Sequence, residues 1–174
     1  YIRYPAEYEG HSCWSAGSDY EYFGTRAPHV LYIYFEDGIE FIHNFQSDTL
    51  LGVRIPDTVW FIGYGAFCGN NRMVHISFPE KMQNDLIIFD EAFRGAALRE
   101  VVLPEGTSEI GSLAFNGCKW LKRVEIPGSL EKFNATWFAN CNRLETIKLN
   151  EGVECIKGSF YGCEKLRDIQ FSST

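Results

Sequence analysis

Between residues 55 and 163 one phrase recurs, as IPDTVWFIGYGAFC at 55–68, LPEGTSEIGSLAFNGC at 103–118, IPGSLEKFNATWFANC at 126–141 and LNEGVECIKGSFYGC at 149–163. Pro56, Pro79, Pro104, Pro127 and Asn150 mark it at intervals of 23, 25, 23 and 23 residues, and Phe67, Phe93, Phe115, Phe138 and Phe160 hold its middle. A sustained period of this length signals a solenoid, in which each repeat buries its apolar face only against its neighbours. Stability then belongs to the stack, and function to a surface that the stack displays.

The residue types within one unit explain the recurrence. In LKRVEIP at 121–127, Leu121, Val124 and Ile126 share a face while Arg123 and Glu125 point the other way, as in a half-buried strand. Equivalent strands are expected in 50–56, 73–79, 98–104, 144–150 and 166–171. Pro or Asn after each strand ends the ladder, since proline has no N–H to donate, and Gly106, Gly128 or Gly152 then permits a bend. A second short apolar stretch follows, such as Trp60-Phe61-Ile62, and then an Ala-Phe pair read as one helical turn.

Ile55-Pro56, Ile62-Gly63, Ala66-Phe67, Ala114-Phe115, Cys118, Leu121, Val124 and Ile126-Pro127, with their counterparts across 50–171, resemble the BspA-like class of leucine-rich repeats. The resemblance implies an α/β solenoid: a right-handed superhelix with one parallel β-sheet, about six to seven rungs and short helical or 3-10 turns. It also implies a protein displayed on or secreted from a microbial cell and acting in adhesion.

Three departures from the pattern carry expectations. The unit beginning at Pro79 has two extra residues in KMQNDLIIFDEAF, predicting a bulge before Phe93 with the following strand back in register. Trp137 stands where alanine is usual, predicting local repacking. EDGIEFIHNF at 36–45 echoes the repeat, so 30–49 reads as a degenerate first repeat within a 30–174 solenoid, although Asp37-Gly38 would also suit a β-hairpin. Residues 1–29 follow no repeat and hold seven aromatic residues from Tyr1 to Phe23, which reads as an amino-terminal cap. The chain stops just past the rung ending at Phe171, so a longer parent or end-to-end self-association through that uncapped rung is expected. It starts at Tyr1 with no basic-then-apolar leader, as a processed protein or an excised piece would.

Composition narrows the function classes. With 45% apolar and 22% charged residues the chain fits one folded unit, and a net charge of -7 without a basic block speaks against nucleic acid and anionic membrane surfaces. The apolar run VLYIYF at 30–35 is far too short to span a bilayer, so no membrane insertion is expected.

Cys118, Cys141 and Cys163 each follow the repeat phenylalanine by three residues, which predicts a column of buried, inert thiols about 5 Å apart. A bridge from Cys13 stays open. There is no C-x-x-C pair and no close pair among His11, His29, His43 and His75, so neither a metal nor another cofactor is expected. Gly10-His11-Ser12-Cys13-Trp14 is similar to the nucleophile segment of papain-like proteases, but no histidine lies far downstream of it, the last being His75. No other nucleophile or phosphate-loop motif is present, and the chain reads as non-enzymatic. Asn134-Ala135-Thr136 matches a glycosylation sequon, with a plain turn asparagine as the simpler account.

What remains is the outward face of the strands. Repeat register predicts one column running Arg54, Ser77, Val102, Glu125, Lys148, Gln170 and another running Gly52, His75, Glu100, Arg123, Thr146, Asp168. His75, Glu100, Arg123, Glu125 and Lys148 are the candidate partner-binding residues here, with neutralising surface ion pairs as the plainer role. Trp60, Trp120, Tyr64 and Tyr161 occupy positions that are usually polar. Trp60, Trp120 and Tyr161 are therefore candidate aromatic contacts, with packing against neighbouring loops as the rival role. The resulting expectation is a protein-recognition module of a cell surface or the extracellular space, binding host matrix or another surface protein. An intracellular scaffold and a carbohydrate-binding surface protein are the alternatives.

Overall fold

The computed structural model describes residues 31–172 except 44 and 46, together with the backbone of four short strands between residues 2 and 16. The repeats contribute two short strands each, up to the last described rung, and each of these strands pairs in parallel with its equivalent in at least one neighbouring repeat. The first set forms a front ladder of Ile2–Tyr4, Tyr32–Phe35, Gly52–Arg54 and His75–Ser77, then Glu100–Val102, Arg123–Ile126, Thr146–Leu149 and Asp168–Phe171. The solenoid predicted from the repeat is thus present.

The turns differ from expectation, because the stretch after each proline is itself a strand. Ser15–Ala16, Phe41–Ile42, Phe61–Ile62, Lys81–Ile88 and Glu105–Ile110 form a second, back ladder, and Lys132–Asn134 pairs separately with Cys155–Lys157. The chain therefore has two sides of parallel pairing where one sheet was expected. The only helical element among the described residues is a 3-10 turn, Ala135–Phe138, whose first free N–H, on Thr136, donates to the Asn134 side chain. That capping bond is what the sequon asparagine does structurally.

Between the ladders lies a continuous apolar core. Val53, Val101, Val124 and Ile147 from the front, Ile62, Ile88 and Ile110 from the back, and the phenylalanines of the Ala-Phe turns are all buried. Rings 45, 67, 93, 115 and 138 form a spine, with centroids 5.1–5.3 Å apart and planes within 12° of parallel from Phe67 to Phe138. Each fully buried ring stabilises by roughly 1.5–3 kcal/mol relative to exposure. Backbone bonds link the turns as well: Phe67 N–H donates to Ala92 C=O, Phe93 N–H to Ala114 C=O and Phe115 N–H to Trp137 C=O. The repeat grammar thus records three contacts per turn, not one.

The thiol column is present. Cys118, Cys141 and Cys163 donate to the carbonyls of Phe93, Phe115 and Phe138 at 3.2, 3.3 and 3.1 Å, one repeat upstream in each case. Burial pushes the Cys141 thiol up to about 12, and the Cys118 thiol well above its ordinary range. Cys68, Cys118, Cys141, Cys155 and Cys163 are all free thiols; Cys13 lies outside the described residues.

The departures resolve individually. The two extra residues of the Pro79 unit are absorbed as a register irregularity inside strand Lys81–Ile88, between Lys81 and Ile87, rather than in a loop; Ile87 and Ile88 pair again with Phe61 and Ile62. Trp137 is buried and meets Phe133 edge-on at 5.5 Å, within the 3-10 turn. Tyr32–Phe35 pairs in parallel with Gly52–Arg54, so Asp37-Gly38 closes no hairpin. Of the stretch read as a cap, the backbones of Ile2–Tyr4 and Ser15–Ala16 extend the front and back ladders, while residues 17–30 and all its side chains lie outside the described residues.

Candidate functional site

The front ladder carries outward side chains in two rows whose register follows the repeat. Arg123 lies between Glu100 and Thr146, and Glu125 between Val102 and Lys148. Lys148 Nζ sits 2.7 Å from Glu125 Oε1, and Asn150 donates to the same oxygen at 3.2 Å. The Lys148 bond, more than any other contact, holds the Glu125 carboxyl below its usual range, and burial opposes it. Arg123 and Glu100 are more than half exposed and 3.6 Å apart, a loose pair that water screens.

The rows are not continuous, which corrects the predicted columns. His75–Ser77 and Glu100–Val102 form no ladder with each other; the front side consists of two four-stranded sheets that meet there. His75 is bonded in register to Gly52 on one side and has no ladder partner in Glu100 on the other. The register irregularity of strand Lys81–Ile88 lies in the chain segment between these two strands. A cleft of about 740 Å³ opens between them, lined by His75, Ile76, Phe78, Glu80, Glu100 and Val102 among others.

The three aromatic candidates do not join this surface. Trp60 is half-buried beside the back ladder, 4.5 Å from the Phe41 ring and with its indole N–H 3.5 Å from Glu40, so it packs rather than projects. Around it Phe61, Phe89 and His43 make an aromatic group on the outside of the back ladder, and burial lowers the pKa of His43. Trp120 is exposed but covered on one face by the Arg143 guanidinium, 4.0 Å from the ring centre. Tyr161 and Tyr64 are exposed in the Ala-Phe turns. The structure therefore brings together His75, Glu100, Arg123, Glu125 and Lys148 and leaves Trp60, Trp120 and Tyr161 on other parts of the repeat.

The front face presents charged and hydrogen-bonding side chains. Among the described residues there is no cluster of three or more His, Cys, Asp or Glu side chains able to hold a metal. The buried thiols are held protonated and face carbonyl oxygens, which leaves them poor nucleophiles.

The BspA-type leucine-rich-repeat model matches residues 41–85 and 86–174, in six copies. Solved structures share the fold: a leucine-rich repeat protein of Bacteroides ovatus (TM-score 0.51, 22% identity, covering 81% of this chain and 45% of that one) and the leucine-rich repeat protein of T. pallidum (0.51, 22%, 79% and 78%). A leucine-rich cell surface protein of Faecalibacterium prausnitzii aligns over 98% of this chain and 60% of its own, with a TM-score of 0.52 and 16% identity. The chain thus spans less than half of the Bacteroides protein. No curated protein matches it significantly. With the repeat, the two ladders and the phenylalanine spine in place, the chain belongs to the BspA-type leucine-rich-repeat family.

Proposed function

We propose that this solenoid is a non-enzymatic protein-recognition module of a microbial cell surface or secreted protein, and that it binds its partner through the front sheet. One observation carries the reading: the outward rows set Glu100, Arg123, Glu125 and Lys148 on adjacent strands in strict register, and a rigid sheet presents them in fixed positions. Preorganised charge of this kind favours specificity and rapid association over raw affinity. The similarity to a cell surface protein of F. prausnitzii supports the location, and that protein's role stays its own.

Two experiments test the reading. Protease shaving of intact source cells should release the chain; protection until lysis would overturn the surface location. Reversing Arg123 and Lys148 to Glu together should weaken binding to immobilised matrix or cell-surface proteins and change its salt dependence. An unchanged affinity for every protein bound by the wild type would remove the front sheet from the contact.

A further inference from the structure

From Ile33 to Leu149 along the front ladder the inward side chains are sealed from water except at one point. Val53, Val101, Val124 and Ile147 are 0–4% exposed, yet Ile76, in the same row, is only partly buried. Phe78 is likewise partly buried, where its equivalents Ile55, Leu103 and Ile126 are closed over. Both residues line the cleft between His75–Ser77 and Glu100–Val102. The opening has definite ends: Arg99 N–H donates to Val74 C=O at 3.3 Å below it, and Glu105 N–H to Glu80 C=O at 3.0 Å above it. Between these bonds two strand edges face each other without a ladder, over an apolar floor.

Width decides what fits. A complete strand inserted between the two edges needs about 9.5 Å, two ladder spacings, whereas Cα atoms of the facing strands come within 8 Å of each other. The slot therefore admits side chains but not a main chain. The volume of about 740 Å³ is ample for one large apolar side chain and the extended backbone lying across the mouth.

Charge gives the slot a direction. At the lower end Glu100 is offset by Arg123 at 3.6 Å, and Arg99 also lines the cleft. At the upper end the cleft is lined by Glu80, Glu105 and Glu125; Lys148 is held by Glu125, and Lys81 lies in register beside Glu105. Glu105 accepts from the Gly128 and Ser129 N–H groups, which leaves its negative charge in place, and the exposed Glu80 carboxylate has no hydrogen-bond or ion-pair partner among the described residues.

From these features we infer that the slot binds an extended peptide segment of the partner, one apolar side chain entering between Ile76 and Phe78 and a Lys or Arg two residues away meeting Glu80. In an extended chain, residues two apart project from the same face about 6–7 Å apart, which places both side chains toward the sheet. This inference rests on the front sheet being the recognition surface and adds the partner's chemistry to it.

The test uses the full chain, labelled with ¹⁵N, titrated with a blocked peptide Ser-Ser-Phe-Ser-Lys-Ser-Ser to about 5 mM, since one anchor and one charge give millimolar affinity. Amide shifts confined to 74–80 and 99–105 are expected. Glu80→Lys, an exposed substitution that leaves the core intact, should weaken binding about three- to fivefold. The same variant should gain affinity for the peptide with Glu in place of Lys. Absent shifts, shifts spread over other faces, or indifference to Glu80→Lys with both peptides would overturn the slot. Loss of a partner on reversing Arg123 and Lys148, with Glu80→Lys silent, would keep the sheet reading and reject the slot; the converse would keep the slot alone.

Discussion

Phe115→Ala tests whether the phenylalanine spine is the axis on which the repeats are joined. Phe115 has no exposed surface and lies between Phe93 at 5.1 Å and Phe138 at 5.2 Å, both rings within 12° of parallel. Truncation removes one ring's burial, two ring contacts and the packing that closes the site, and for Phe→Ala in a core the loss is about 3–5 kcal/mol. Each lost ring contact accounts for about 0.5–1.5 kcal/mol of that. Phe115→Leu keeps most of the volume and should lose only about 1–3 kcal/mol, the two ring contacts and a small shape mismatch. Urea unfolding followed by circular dichroism and by tryptophan fluorescence measures both variants, and the m-value reports whether one cooperative unit still unfolds. Losing less than about 1 kcal/mol with Ala would refute the spine as a stabilising stack, since neither the ring contacts nor the filled volume would then count.

Three further outcomes are expected. At Gly128 an added Cβ would fall on the Glu151 carbonyl oxygen, a backbone atom that cannot swing aside, so Gly128→Ala should destabilise by about 1–3 kcal/mol in thermal or urea unfolding; a neutral result would contradict the close approach of these two turns. Native alkylation read by mass spectrometry should modify half-exposed Cys68 and Cys155 long before Cys118 and Cys141, whose burial holds the thiolate out of reach at neutral pH; equal rates would dissolve the thiol column. Because Lys148 holds the Glu125 carboxyl below its ordinary range, the pair stabilises the fold above the ordinary Glu pKa of about 4.3 and is lost as pH falls through the lowered folded value. Glu125→Gln should thus cost at most about 1 kcal/mol at pH 7 and nothing at pH 2, and a difference that grew on acidification would have the wrong sign.

The repeat was readable because the solenoid imposes the same demands on every turn. Val101, Val124 and Ile147 must face inward, and Pro104 and Pro127 must end a strand, so the letters recur and the front register follows from spacing alone. The back ladder left a weaker trace. Phe61–Ile62 is two residues long, too short to show alternation, and EGTSEI at 105–110 pairs as a strand although its glycine and charges suggest a loop. There the neighbour's backbone, not side-chain preference, decides the conformation. Asn70 shows another way a pattern hides: it occupies the cysteine slot of its repeat, donating to Phe45 C=O as Cys118 donates to Phe93 C=O, and also accepts from Ser47 N–H. Asn and Cys share the position because both can donate there, while Ala96 fills the same slot of its repeat by size alone. The cleft was not legible. The two extra residues after Pro79 were visible, but that the front strands would part beside them depends on how two whole turns lean against each other.

Among the described residues the two ladders are each interrupted once, and the interruptions do not coincide. Pairing fails on the front between His75–Ser77 and Glu100–Val102, where the back strands Lys81–Ile88 and Glu105–Ile110 stay paired at both ends across the register irregularity. It fails on the back between Glu105–Ile110 and Lys132–Asn134, where the front strands Glu100–Val102 and Arg123–Ile126 are fully joined. The joints are staggered as in coursed masonry, so no plane across the stack is held by side-chain packing alone. A crack starting at the slot meets a course of backbone bonds behind it, which lets the sheet carry an opening wide enough for recognition without giving the solenoid a place to break.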